Sequence, residues 1–259
     1  MRIVLGVEYD GTFYCGWQSQ PSACGVQDIL EKAISKIAGH SIRVHAAGRT
    51  DTGVHALMQV VHFDTATIRP ENAWVRGVNT FLPKTVRVVW TKLVTDDFHA
   101  RFCAQIRRYQ YLLVNHPVAP ALLASKAGWY HLPLQLELMQ SAAQYLIGEH
   151  DFSAFRASEC QAKSPIRTMY EASIRQHQRR FIFKFSANAF LQHQVRNMLG
   201  ALIYVGNGKY PPEFIRDLLE QRDRKLSPPT FSASGLYLTG VEYDAQWCLP
   251  SQEQEIGII

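Results

Sequence analysis

Extended apolar runs and segments of helical periodicity alternate along the N-terminal part of the chain. Strands are predicted where Val, Ile and Leu form short runs, and helices where apolar residues recur every three to four positions. The predicted strands are Arg2–Tyr9, Ser41–Ala46, Gln59–Asp64 and Val86–Val94, and the predicted helices are Val26–Ala38 and Asn72–Phe81. The resulting β-α-β-β-α-β order is that of the split-βαβ, or ferredoxin-like, arrangement.

The C-terminal part repeats this rhythm less regularly. Its predicted strands are Arg108–Val114, Thr168–Arg175, Phe181–Ala187 and Leu236–Tyr243, and its predicted helices are Leu134–Ile147, Leu191–Tyr204 and Pro212–Glu220. The sequence therefore predicts two α+β halves, residues 1–104 and 105–259. With 259 residues and 47% hydrophobic content, each half is long enough to enclose its own core.

The charge balance favours an anionic partner. The chain has 27 Lys and Arg against 22 Asp and Glu, a formal net charge of +5. Such a basic balance favours a polyanionic partner such as nucleic acid, although charge alone is a weak indication.

The cysteine content and the hydropathy indicate where in the cell the protein is located. There are five cysteines and no Cys-x-x-Cys pair, which argues against a disulfide framework or a zinc ribbon. A reducing, cytoplasmic setting fits this pattern. We also expect no membrane span, because no run of about 18 apolar residues occurs.

The segment Ala47–Ala56 is the richest in candidate chemistry. Two glycines bracket Arg49 and Asp51 between two predicted strands, which favours an unusual backbone path. A plain β-turn in which Asp51 bonds its own backbone is an ordinary use of these residues. A phosphate-binding loop is less favoured because no Gly-Lys-Ser/Thr occurs. A metal site is not supported, since the nearby histidines lack the spacing of metal ligands.

Four motifs resemble those of the tRNA pseudouridine synthase A family. The first is Gly48–His55 (GRTDTGVH), and the second is Asp97–Phe102 (DFHARF) followed by Arg107–Tyr111 (RRYQY). The third is Asp151–Arg156 (DFSAFR), and the fourth is Phe190–Gly200 (FLQHQVRNMLG). They occur in the family's order and extend over nearly the whole chain.

The resemblance implies an isomerase that converts uridine in tRNA to pseudouridine without a cofactor. It implies two ferredoxin-like halves whose antiparallel sheets join around a basic cleft, and a homodimer that binds the anticodon stem-loop at positions thirty-eight to forty. A base in a stem must first be flipped out, at a cost of a few kcal/mol. Recognition mainly by shape is expected, because A-form stems hide their base edges.

The resemblance assigns Asp51 as the catalytic carboxylate. Attack on uracil, attack on ribose and assisted elimination all remain open for it. Arg196 is implied as its cationic partner, whereas from the helix pattern alone a snorkelling arginine is equally acceptable. Arg49 is implied in base flipping, its plainer alternative being a phosphate contact or a solvated charge.

Tyr109 matches the family's active-site tyrosine. Its ring could stack on the flipped uracil, and its hydroxyl could help to remove the C5 proton. Tyr111 lies on the same face of the predicted strand, so the pattern by itself does not choose between the two.

Further basic residues are candidates for RNA contacts, although each one singly could be a solvated surface charge. The candidates within the motifs are His99, Arg101, Arg107, Arg108 and Arg156, and those outside them are Lys163, Arg167, Arg179 and Arg180.

Two other functions remain to be weighed against catalysis on RNA. A non-catalytic RNA-binding module could use the same fold, since fold does not fix function. A small-molecule hydrolase using Asp51 and a histidine is the other, although no Gly-x-Ser-x-Gly motif supports it.

Overall fold

The computed structural model describes residues 1–250 and 254–257 of the chain. It confirms an α+β fold. The strands are β1 (Arg2–Tyr9), β2 (His45–Ala46), β3 (His55–Asp64), β4 (Val86–Val94), β5 (Ala104–Asn115), β6 (Gly128–Tyr130), β7 (Gly148–Asp151), β8 (Ile166–His177), β9 (Arg180–Ala187) and β10 (Leu236–Tyr243). The α-helices are α1 (Val26–Ala38), α2 (Glu71–Phe81), α3 (Leu136–Gln144), α4 (Gln194–Gly206) and α5 (Phe214–Gln221).

The chain folds into two compact units. Unit 1 consists of Met1–Gln105 together with the segment from Tyr237 onward, and unit 2 consists of Ile106–Leu236. The first unit therefore contains both ends of the described chain.

The sheet of unit 1 is built around β1. This strand pairs antiparallel with β3 on one side and with β4 on the other, and β2 pairs antiparallel with β3. Together with α1 and α2, these strands follow the predicted β-α-β-β-α-β order. The strand β10 adds to the start of β3 in parallel, with Tyr237 opposite His55 and Leu238 opposite Ala56.

The helix α1 has clear start and stop signals. At its start, the Asp28 carboxylate accepts the Gly25 backbone N–H at 3.0 Å. At its end, Gly39 takes a left-handed conformation (φ 76°) and donates to the Ser35 carbonyl at 2.9 Å. On its apolar face, Leu30 and Ile34 are fully buried. Burial of this face rather than helix propensity supplies most of the stability of such a short helix.

Unit 2 has an antiparallel sheet in the order β5-β9-β8-β7, with the short β6 parallel to β5. The helix α4 is its most buried element, and Met198, Leu199 and Leu202 have no exposed surface. A Cβ on Gly200 would lie 2.4 Å from the Pro229 carbonyl oxygen, so this helix can approach the Pro229 backbone only with glycine there.

The bounds of several elements differ from the predicted ones. Only His45–Ala46 of the predicted strand Ser41–Ala46 pairs with a neighbour, and β3 begins at His55 rather than Gln59. The helix predicted from Leu191 begins at Gln194, because His193 takes a left-handed conformation with φ of 61°. The short strands β6 and β7 were not predicted.

The cysteine count argues against a disulfide framework, yet the structure joins Cys15 and Cys24 by a disulfide, with their Cα atoms 5.4 Å apart. The loop between them turns back on itself, and the Cys15 N–H donates to the Cys24 carbonyl at 3.0 Å. This backbone bond brings the two side chains together, which spacing along the sequence could not reveal. Cys103, Cys160 and Cys248 are free.

Over the described residues, every helix is too short or too polar to cross a membrane.

Candidate active site

Asp51 lies on a turn between β2 and β3. Its carbonyl accepts the Val54 N–H at 3.1 Å, and Gly53 takes a left-handed conformation with φ of 78°. The backbone turn expected from the two glycines is thus present. The Asp51 side chain is half-buried and that of Arg49 is exposed.

The residue before Asp51 is held by the N-terminal segment of the chain. The Trp17 N–H donates to the Thr50 carbonyl at 3.0 Å, and the Thr50 and Tyr9 hydroxyls are hydrogen-bonded at 2.8 Å. Thr50, Tyr9 and Trp17 are all buried, and burial raises the pKa of Tyr9 to about 12. Tyr9 therefore remains neutral at physiological pH and keeps its hydroxyl as a hydrogen-bonding anchor.

Gly16 makes this close approach possible. Its φ is +91°, and a Cβ on it would lie 2.7 Å from the Thr50 carbonyl oxygen and 3.1 Å from the Asp51 carbonyl carbon. Any other residue would be strained here and would push against the backbone that carries Asp51.

The two ends of the loop are fixed as well. The Gln59 amide donates to the Gly48 carbonyl at 2.7 Å, and Ala47 N–H donates to the Val60 carbonyl at 2.8 Å. On the other side, the Gly11 N–H donates to Nδ1 of His55 at 3.0 Å. The backbone on both sides of Asp51 is therefore anchored, as precise placement of a catalytic side chain requires.

In unit 2, the structure separates the two candidate tyrosines of β5. Tyr111 is fully buried, and its hydroxyl donates to the Ser232 carbonyl at 2.9 Å. Tyr109 keeps 9% of its surface exposed and meets the Phe190 ring edge-on, with the centroids 5.2 Å apart. The hydroxyl of Tyr111 has a structural role, which leaves Tyr109 as our candidate.

Arg196 lies in the first turn of α4. Its Nε donates to the Phe231 carbonyl at 2.9 Å, and the Phe231 N–H donates back to the Arg196 carbonyl at 3.2 Å. A cation is disfavoured at the N-terminus of a helix, where the macrodipole is positive. The half-buried guanidinium is thus held in place by the backbone rather than drawn there by the helix.

The candidates for RNA contact that lie within the motifs occupy three places. In unit 2, Arg107 and Arg108 lie on β5 beside Tyr109, opposite Ala187 and Ser186 of β9, and Nη1 of Arg107 donates to the Asn188 carbonyl at 2.7 Å. Arg156 lies just after β7 in the same unit. In unit 1, His99 and Arg101 lie between β4 and β5.

His99 belongs to a ring cluster at the far end of β3. Its ring contacts those of His62 and Phe102, with centroids 4.6 and 4.3 Å away. His62 lies seven positions after His55 along β3, so the cluster lies about 23 Å along this strand from the end that follows the Asp51 turn. Burial, with smaller effects from neighbouring positive charges, lowers the pKa of His62 to about 3, so its ring is neutral at physiological pH.

A metal centre is not indicated where the structure can be described. Although His45, His62 and His99 come together, no group of three or more His, Cys, Asp or Glu side chains in residues 1–250 and 254–257 is arranged to hold an ion.

The residues that hold the Asp51 turn were not among the predicted site residues. Tyr9, Gly16 and Trp17 precede α1 and are remote from the Asp51 motif in sequence. Gly16 was the available indication, because glycine is the usual residue where the backbone needs a positive φ or a close approach.

Comparison with known proteins agrees with the motifs. The family model described as tRNA pseudouridine synthase matches residues 6–103 and 142–244. A solved Cbf5–Nop10–Gar1 complex aligns over 91% of this chain and 48% of that chain, but with 13% identity and a TM-score of 0.37, which supports no argument.

Three relatives named tRNA pseudouridine synthase A match over almost their full length. The Methylobacillus flagellatus protein is 64% identical over 100% of this chain and 99% of its own. The Nitrosomonas eutropha protein is 59% identical over 97% and 91%, and the Thiobacillus denitrificans protein is 54% identical over 98% and 98%. The family resemblance expected from the four motifs is confirmed, and the chain belongs to the tRNA pseudouridine synthase family.

Proposed function

We propose that this protein converts uridine to pseudouridine in tRNA, with Asp51 as its catalytic carboxylate. The observation that carries the proposal is the anchoring of the Asp51 turn, through Thr50 to Tyr9 and Trp17 and through Gly48 to Gln59. A solvated surface turn has no need of buried anchors on both sides, whereas a catalytic carboxylate does.

The reaction is an isomerisation, so nothing is gained or lost overall. The bond from ribose C1′ to uracil N1 breaks, the base turns, and a bond from C1′ to C5 forms. The C5 proton leaves and N1 takes up a proton. An ionised carboxylate can assist by adding to the uracil ring, by adding to C1′ or by drawing off a ribose proton during elimination. In each route Asp51 must be ionised when the substrate binds.

Three other side chains complete the proposed chemistry. Arg196 supplies a positive charge that keeps Asp51 ionised in a partly dry site. Arg49, exposed beside Asp51, takes the space of the flipped base or contacts its neighbours. Tyr109 stacks on the uracil and relays the C5 proton, a role that a tyrosine hydroxyl performs only with help from neighbours.

The substrate we propose is the anticodon stem-loop of tRNA, at positions thirty-eight to forty. The basic residues His99, Arg101, Arg107, Arg108 and Arg156 would contact its backbone. We also propose that the protein acts as a homodimer in the cytoplasm. These finer points are supported by the family's motifs, and sedimentation of the purified chain with and without tRNA tests the dimer.

The proposed reaction is tested by mapping. Unmodified tRNA transcripts are incubated with the protein, and pseudouridines are located by carbodiimide modification and primer extension. We expect stops at the anticodon stem-loop with the wild-type chain and none with Asp51→Asn. A folded wild-type chain that binds the transcript but leaves every uridine unchanged would support the non-catalytic RNA-binding module instead.

A further inference from the structure

Two arginines of unit 2 clamp the segment between β7 and β8. Nη2 of Arg156 donates to the Cys160 and Ala162 carbonyls, at 2.5 and 2.9 Å. Nη1 of Arg167 donates to the Ser164 and Ile166 carbonyls, at 3.0 and 2.5 Å. The two guanidinium groups therefore lie on either end of one short loop.

These bonds use only part of each guanidinium. An arginine offers five N–H donors in a planar fork, and each of these side chains bonds the loop through a single nitrogen. The Nε of Arg167 is buried and lacks any hydrogen-bond partner. A buried donor left unsatisfied costs about 1–3 kcal/mol. The donors of Arg167 that remain for an acceptor from outside the chain are those on its Nη atoms.

No carboxylate neutralises the pair. Within the described part of the chain, neither Arg156 nor Arg167 forms an ion pair, and the loop's own acidic residue, Glu159, accepts a hydrogen bond from the Ser158 hydroxyl at 2.9 Å instead. Burial, and to a lesser extent the charge of Arg156, lowers the pKa of Arg167. Two like charges held near each other without an anion are destabilising, and a bound anion would offset this.

The thiol of Cys160 lies beside Arg156 in the same loop. Burial alone would raise its pKa, but hydrogen bonds from the Ala162 and Gln192 backbones, with the charge and hydrogen bond of Arg156, lower it overall. The surroundings of Cys160 therefore stabilise negative charge. Backbone N–H groups combined with guanidinium groups are a common setting for phosphate oxygens.

We propose that Arg156 and Arg167 form a binding site for one backbone phosphodiester of the bound tRNA. This inference rests on the proposed function, and it names a paired-guanidinium site instead of scattered surface charges. Arg156 and Arg167 would contribute their unused donors to the phosphate oxygens, and the exposed Lys163 between them would add charge at the rim. The contact would carry no sequence information and would position the tRNA.

The salt dependence of tRNA binding tests the site. Each protein–phosphate contact contributes about one unit to the slope of the logarithm of affinity against the logarithm of salt concentration. We expect Arg156→Gln and Arg167→Gln each to reduce the slope for an unmodified tRNA transcript by about one. Arg216→Gln is the matched control and should not alter the slope. The Arg216 guanidinium is already paired, with Nη2 3.5 Å from Oδ1 of Asp217 and Nε 3.9 Å from Oε1 of Glu220.

Lysine variants separate a phosphate contact from a structural clamp. Arg167→Lys keeps the charge but loses the guanidinium, whose Nη1 holds both the Ser164 and the Ile166 carbonyls. If the arginine binds phosphate, the lysine variant should keep most of the wild-type slope while the glutamine variant does not. If Arg156→Gln does not fold, Arg167→Gln and Arg167→Lys decide the matter alone.

A wild-type slope in folded Arg167→Gln would overturn the proposal. If inorganic phosphate in addition raises the melting temperature of the wild-type chain but not that of this variant, the site is one for free phosphate and not for the tRNA backbone. Tritium release from C5-labelled tRNA is measured alongside. Release by the wild-type chain with unchanged slopes rejects only this site, whereas absence of release rejects the proposed function itself.

Discussion

The backbone N–H of Trp17 donates to the carbonyl of Thr50 at 3.0 Å, so a residue that precedes α1 positions the one that precedes Asp51. The Tyr9 hydroxyl bonds the Thr50 side chain from β1 at 2.8 Å. The conformation of the Asp51 turn is therefore set by the N-terminal segment as well as by its own glycines, and substitutions in that segment should alter catalysis.

Gly16→Ala should lower turnover at least tenfold. Alanine is strained at a φ of +91°, and its Cβ would lie 2.7 Å from the Thr50 carbonyl oxygen and so displace the Asp51 turn. The measurement is the single-turnover rate on tRNA together with the free energy of unfolding.

Gly39→Ala is the matched control for that change. Gly39 also has a positive φ, of +76°, but a Cβ there meets nothing within 4 Å. It should cost about 1 kcal/mol of stability through backbone strain and leave turnover unchanged. Equal turnover losses in both variants would show that strain alone, and not the contact with Thr50, is responsible.

Tyr9→Phe should reduce turnover several-fold with little change in tRNA affinity. It removes the hydrogen bond to Thr50 and leaves that buried hydroxyl without this partner, at a cost of about 1–3 kcal/mol. Tyr14→Phe removes a similar bond, to the Thr85 hydroxyl at 2.5 Å, whose partner is not a residue of the Asp51 turn. If the two variants lose turnover equally, the Tyr9 anchor has no special role.

Tyr109→Phe and Tyr111→Phe should separate chemistry from stability. Loss of the Tyr109 hydroxyl should lower the rate of C5 proton release by about 10²-fold or more, as expected for a group that transfers a proton. Loss of the Tyr111 hydroxyl should instead cost about 1 kcal/mol of stability, because it removes the bond to the Ser232 carbonyl. The reverse pattern would move the proposed role to Tyr111.

His62 should make the protein less stable in acid. Its pKa is about 3 in the folded state, against about 6.5 when unfolded, so only the unfolded chain takes up a proton between these values. The free energy of unfolding should fall as the pH drops below 6.5, by up to about 1.4 kcal/mol per pH unit from this group. The stability that neutral His62 contributes should be complete above pH 6.5.

The variant His62→Gln tests this assignment. Glutamine can accept the Ala100 N–H that Nδ1 of His62 accepts at 3.1 Å, but it does not titrate. Denaturant unfolding between pH 7.5 and pH 4.5 should show a shallower loss of stability in the variant. An unchanged slope would mean that His62 is already protonated in the folded protein or remains neutral in the unfolded one.

The sequence predicts the elements better than their ends. The order of β1, α1, β2, β3, α2 and β4 follows from periodicity, because apolar residues must face a core in both helices and strands. The start of α4 does not, since His193 takes a left-handed conformation that no local pattern requires. The strands β6 and β7 are three and four residues long, too short for alternation to be seen.

The motifs identify the candidate site, but they do not identify the residues that hold the Asp51 turn in place. Asp51 and Arg49 stand out because two glycines bracket them and the motif is specific. Tyr9 and Trp17 carry no sequence pattern that links them to Thr50, because their contacts with it depend on long-range packing. The sequence does not predict the Cys15–Cys24 disulfide either, because this bond depends on how the loop folds back.

The central claim is that Asp51 drives the isomerisation. The most direct measurement is tritium release from tRNA labelled at C5 of uridine, with the wild-type chain and Asp51→Asn at equal tRNA occupancy. The account predicts release by the wild-type chain, and from the variant no release above background despite near-normal tRNA binding. Release by Asp51→Asn at a rate close to wild type would contradict it.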